Sequence, residues 1–174
     1  MITVLRDEDG DSLPVYLDAF AGEKTEDRVE ITLDKRPLHE GEMRLLGFGE
    51  RLPEESSIQE FLASCGVPDE EVPQVVTKLD LESQSYLSCA QLNATAARQL
   101  QLFALLRSDA KALVVYDPFQ PFNGRWREYF AERLLQDARQ RQRIIIVLQL
   151  SFVPKCWEKL PEVRQYEVGR AARK

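Results

Sequence analysis

Two apolar runs, Ala112–Tyr116 and Ile144–Leu150, stand on either side of an amphipathic stretch, Arg125–Arg141. A strand whose consecutive residues are all apolar buries both of its faces, as strands inside a parallel sheet do. Joining two such strands in parallel takes a crossover of about a dozen residues or more, and a helix over Arg125–Arg141 supplies it. These residues therefore predict an α/β protein built round a parallel sheet. Trp126, Tyr129 and Phe130 fall on one side of that helix and read as core, as do Phe119 and Phe122. The run Val163–Val168, closed by Gly169, predicts one more strand.

The first third reads as β-rich. Ile2–Leu5, Leu13–Leu17, Val29–Leu33 and Leu45–Phe48 are short apolar or β-branched runs between acidic and Gly-containing turns. Asp7-Glu-Asp-Gly10-Asp11 is a hairpin-type turn signal between the first two. The middle reads as helical. Ser56 or Ser57 can cap Ile58–Cys65, where Ile58, Phe61 and Leu62 share a face. A second helix runs from Pro68 to about Lys78, and a third from Thr95 to Arg107 with Asn93 as its cap. No repeat or Pro/Gly/Ser-rich linker divides the chain, so residues 1–174 are expected to form one domain with 57–107 as a helical insert.

No apolar run approaches the ~20 residues of a membrane span, and the first residues lack a basic-then-apolar signal. A soluble, cytoplasmic protein is expected. Cys65, Cys89 and Cys156 have no metal-ligand or disulfide spacing and read as reduced thiols, and His39 has no companion for a metal site. The net charge of −6 divides unevenly: residues 1–85 carry 21 acids and 8 bases, residues 86–174 carry 8 acids and 15 bases. Such a dipole suits pairing between halves or oriented docking on a charged partner. The acidic total, pI about 5.0, argues against nucleic acid as the main partner.

Leu113-Val-Val-Tyr-Asp117-Pro-Phe119 is similar to the Walker B strand of ABC-type ATPases, in which apolar residues precede Asp-Glu-Pro. Tyr116 then stands for the magnesium-associated aspartate and Asp117 for the catalytic glutamate. Leu92-Asn-Ala-Thr-Ala96 falls at the place of the Leu-Ser-Gly-Gly-Gln signature, and Gln120-Pro-Phe-Asn123 at that of the D-loop. Gln149 stands near the switch histidine, and Val168-Gly169-Arg170 resembles the closing strand and its Gly turn. Upstream, Val29–Pro37 is similar to the strand and turn after the P-loop helix. Leu46–Pro53 resembles the strand entering the Q-loop, with Glu50 or Arg51 near the glutamine's place. Ser57–Leu62 looks like the first helix of the helical subdomain. The resemblance spans roughly residues 29–170 and rests on order and spacing, not on intact motifs.

The resemblance implies a truncated ABC-ATPase-like domain, with an N-terminal antiparallel β part and a small helical subdomain, that lacks the parts for hydrolysis. A phosphate loop needs glycines, a Lys and a Ser/Thr opening a helix. The only remnant, Ala21-Gly22-Glu-Lys24-Thr25, has one glycine, an acid at Glu23, and three residues before the next strand. No cofactor, metal or enzymatic activity is therefore expected. The resemblance places partner contacts at Glu50 and Arg51, at Leu92 and Asn93, and at Phe122 and Asn123. The partner implied is an active ABC-type ATPase or a membrane permease subunit, with membrane contact only through it, at the inner membrane. A free-standing charged interaction module is the alternative. An enzyme of another class using Asp117 is weaker, because no base, nucleophile or metal partner converges on it.

Overall fold

The computed structural model of this protein describes residues 1–6, 32–33, 36–37, 42–47, 50–148 and 153–167. Contacts divide the chain into two compact units, one of residues 1–48, 109–119 and 123–174, the other of residues 49–108 and 120–122.

The first unit is a five-stranded sheet. Its strands are β1 (Ile2–Arg6), β4 (Met43–Leu46), β5 (Ala112–Tyr116), β6 (Ile144–Leu148) and β7 (Val163–Glu167). They lie in the order β4-β5-β6-β1-β7, and every neighbouring pair is parallel. Strands β5 and β6 pair over their whole length, from Ala112–Ile144 to Tyr116–Leu148. Ala112 through Val115 are all buried, as a strand covered on both faces must be. On one face, Val114 and Leu148 gather Leu5, Met43, Leu45, Tyr116 and Ile146. Two further strands, β2 (Thr32–Leu33) and β3 (Arg36–Pro37), form a separate antiparallel ladder. Pro37, which closes the predicted run at 29–33, thus belongs to a second short strand.

A strand has two hydrogen-bonding edges, and β1 gives one to β6 and the other to β7, an inner place that its sequence does not announce. The predicted strand at Leu45–Phe48 is shifted: β4 begins at Met43, and its exposed Arg44 is tolerated because β4 is an edge strand among the described residues. The hairpin turn, Leu13–Leu17, residues 29–31, His39, the segment at Lys24 and Thr25, Gln149 and Val168–Arg170 lie outside the described residues.

The crossover helix, here α4, spans Gly124–Gln140 and buries Trp126, Phe130, Ala131, Leu134, Leu135 and Ala138. Its far end is fixed by a side chain that the basic pattern Arg139-Arg141-Arg143 conceals. Arg143 is 3% exposed, so it is not one more surface base at a helix end. Its guanidinium donates to Asp137 Oδ1 at 2.8 Å, lies 2.6 Å from Asp137 Oδ2, and donates to the Ala110 carbonyl at 3.1 Å. One Arg therefore joins the last turn of α4, the start of β6 and the entry to β5.

Trp157 is core. It is 1% exposed, its Nε1–H donates to the Ala131 carbonyl at 2.9 Å, and its ring meets Phe119 edge-on at 5.4 Å. A buried indole needs such an acceptor, and α4 provides it.

The second unit is helical: α1 (Ile58–Ser64), α2 (Val72–Lys78) and α3 (Ala94–Arg107), with single 3-10 turns at Glu82–Gln84 and Cys89–Gln91. None of the described helices is long and apolar enough to cross a membrane.

Removing one partner of a buried ion pair leaves the other charge desolvated, which costs about 3–5 kcal/mol. Asp137→Ala is expected to destabilise by this order in urea unfolding. The double change Asp137→Leu with Arg143→Met should recover most of the loss, since well-packed apolar replacements are often neutral.

Candidate docking surface

The helical unit holds five of the six residues expected at partner contacts, and its hydrogen bonds link the segments that carry Glu50, Arg51, Leu92 and Asn93. Ser57 and Glu60 form a capping box at α1. The Ser57 hydroxyl accepts from the Glu60 N–H at 3.2 Å, and Glu60 Oε2 accepts from the Ser57 N–H at 2.8 Å. The Ser57 N–H, which contributes most, and the Ser57 hydroxyl, which donates to the same oxygen at 2.9 Å, hold the Glu60 carboxyl below the usual range. Just before the cap, the chain runs beside Ser88–Ala90. Ser57 and Ser88 form an antiparallel bridge, the Cys89 N–H donates to the Ser56 carbonyl at 2.8 Å, and the Ala90 N–H donates to the Glu54 carbonyl at 3.4 Å. Gln101 of α3 reaches the Glu50 carbonyl at 2.5 Å. Glu50 and Arg51 are thereby tied to the segment that leads into Leu92 and Asn93.

Asn93 is the cap of α3. Its Oδ1 accepts from the Ala96 N–H at 2.9 Å, and its own N–H donates to Gln84 Oε1 at 3.3 Å. Small residues at 94–97 extend the helix from this cap, an ordinary helix start. Leu92 is half-buried, while Asn93, Glu50 and Arg51 are exposed. Arg51 leaves 82% of its side chain in solvent while pairing with Glu54 at 3.1 Å, a surface pair worth less than about 1 kcal/mol.

The far end of α1 is closed by Gly66 at a φ of +76°, with the Val67 N–H on the Leu62 carbonyl and the Gly66 N–H on that of Ala63. This left-handed stop suits glycine. Arg107, from the last turn of α3, donates to the Cys65 carbonyl at 3.0 Å and to the Gly66 carbonyl at 2.7 Å. Gln101 and Arg107 thus hold the unit together, and sequence reasoning assigned neither a role. Their only signal was their spacing on α3.

The other two expected contacts fall differently. Asn123 is exposed, at the start of α4. Phe122 is 1% exposed, so its ring is spent in the interior. Of its two sequence readings, core residue and partner contact, its burial agrees with the first.

At the end of β5, Tyr116 packs against the Val114–Leu148 cluster. Asp117 is buried, takes a left-handed φ of +29°, and donates its N–H to the Leu148 carbonyl at 2.8 Å. Among the described residues, no group of three or more His, Cys, Asp or Glu is arranged to hold a metal. Burial raises the Cys89 thiol, and burial with Glu128 and Glu132 pushes Cys156 up to about 11. Neither offers a ready thiolate.

No protein-family model matches the chain, and no curated protein matches it in sequence. Solved structures do match in fold. An ABC transporter ATP-binding protein from Pyrococcus furiosus aligns over 95% of this chain and 83% of its own, at 15% identity and a TM-score of 0.72. The ATP-binding subunit of an ABC transporter aligns over 86% and 68%, at 13% identity and 0.68. An RNase-L inhibitor aligns over 85% of this chain but 28% of its own, at 12% identity and 0.65. At such identities the likeness is one of fold: this chain has an ABC-ATPase-like α/β fold.

An N-cap of this kind contributes about 1 kcal/mol. Asn93→Ala is expected to lower stability by that amount in urea unfolding, and Asn93→Ser to hold it near the native value.

Proposed function

We propose that this chain is a catalytically inactive ABC-ATPase-like subunit that acts by binding protein. It serves as a cytoplasmic scaffold or regulator beside an active ABC ATPase or a membrane transporter component, and it reaches the membrane only through that partner. The observation that carries this reading lies at the carboxyl ends of the strands, where open parallel sheets place their ligands. The inner strand β1 ends at Arg6, and the sequence continues Asp7-Glu-Asp-Gly10-Asp11. Those five residues carry four carboxylates and one glycine, a composition unlike that of a phosphate loop. Nowhere does the sequence hold the Gly-rich run ending in Lys and Ser/Thr that cradles phosphate.

The end of β5 supports the same view. Tyr116 brings a phenol packed among apolar side chains to the position of a metal-associated carboxylate. Asp117 is a shorter acid than a glutamate there and is held in a buried turn. These residues do not fit magnesium nucleotide, and no catalytic step is derived through it.

The fold without its chemistry leaves docking as the function that would retain it. Glu50, Arg51, Leu92, Asn93 and Asn123 present exposed or half-exposed side chains at the places where the resemblance puts partner contacts. The charge asymmetry of the two halves supports a second reading, a charged interaction module without an ABC partner.

Co-purification with the native partner separates the two. Arg51→Glu and Leu92→Asp should each reduce recovery of the partner at least about tenfold, as loss of an interface anchor does, with melting temperatures near the native one. Phe122→Ala should act instead through stability, by about 3–5 kcal/mol. Full recovery of the partner with stably folded Arg51→Glu and Leu92→Asp variants would remove the ABC-like docking surface and favour the charged module.

A further inference from the structure

We propose that the groove between α1 and α2 takes a basic, amphipathic segment of a partner protein. This goes beyond the surface around Arg51 and Leu92, and it rests on the reading of the helical unit as a docking element. The groove holds about 380 Å³ and is lined by Ile58, Gln59, Val72, Val76, Thr77 and Glu82. Branched apolar side chains supply part of its lining, and polar or acidic groups the rest. Ser85 also lines it, and the next residue, Tyr86, is 81% exposed. Tyrosine is among the residue types that most often carry interface energy.

Charge selects the occupant. Residues 50–108 carry nine acids and four bases, and all nine acids are exposed. Three of the bases are engaged within the unit: Arg51 with Glu54, Arg98 with Gln101, and Arg107 with the carbonyls of Cys65 and Gly66. Glu82 lines the groove itself, and Glu60 and Glu71 are chain neighbours of its lining residues Gln59 and Val72. A partly apolar groove in an acidic surround fits a helix that inserts Leu- or Val-type side chains and flanks them with Lys or Arg. An acidic segment, or a nucleic acid, meets like charge.

The test uses the full chain and two labelled 14-residue amphipathic peptides of equal apolar content, one Leu/Lys and one Leu/Glu, followed by fluorescence anisotropy. The Leu/Lys peptide should bind and the Leu/Glu peptide should not. Glu71→Lys with Glu82→Lys should weaken binding roughly tenfold, and Thr77→Arg should weaken it as well. If the double variant fails to fold, Glu82→Gln alone should still weaken it about threefold. The control Asp109→Lys with Glu158→Lys makes the same change of charge outside the helical unit and should leave affinity within about twofold. Equal losses in the control and the groove variant, or equal binding of both peptides, overturn the proposal. Loss of partner co-purification in Arg51→Glu, with peptide binding indifferent to Glu82, would keep the docking reading and remove only the basic occupant.

Discussion

The sheet depends on the insertion of β1 between β6 and β7. Ile2 pairs with Ile145 on one side and Val163 on the other, so the two ends of the chain complete each other's hydrogen bonding. Parallel pairings over such separations reward the chain only after most of its loop entropy has been lost. The sheet therefore has to be assembled as a whole. Ile2 and Val4 are fully buried by it, as are Leu113, Val114 and Val115 of β5 and Ile145, Val147 and Leu148 of β6.

The Arg143–Asp137 pair plays a supporting part at the opposite end of the strands. It fixes the register of α4 against β6 while also reaching Ala110, just before β5. Two strands and their crossover helix thus share one buried guanidinium, whose planar fork can satisfy a carboxylate and a carbonyl together. The edge-on Trp157–Phe119 contact and the Trp157–Ala131 hydrogen bond then tie the approach to β7 to the turn after β5 and to the helix.

What was legible in the sequence follows burial. Strands β5 and β6 and helix α4 were readable because both-face burial leaves an unbroken apolar run and one-face burial leaves a helical stripe. The cap at Asn93 and the capping box at Ser57 were readable because local chemistry dictates them. Strand β1 was recognised as a strand, but its inner position was not, since five residues carry no record of their partners. The interior places of Trp157 and Arg143 were not legible for a related reason. An aromatic ring or a guanidinium looks alike in sequence whether it faces a partner or the interior. Of the six expected contact residues, the helical unit gathers Glu50, Arg51, Leu92 and Asn93 through backbone and Gln101 bonds, which no pattern of residue types announces.

The central claim is that an ABC-ATPase-like fold persists here without a nucleotide site. Titration calorimetry of the full chain with ATP and Mg²⁺ tests it most directly. The account predicts an affinity no tighter than about millimolar, a binding free energy of roughly −4 kcal/mol or weaker, and the same weak signal in a Lys24→Ala variant. Micromolar affinity that disappears in Lys24→Ala would contradict it.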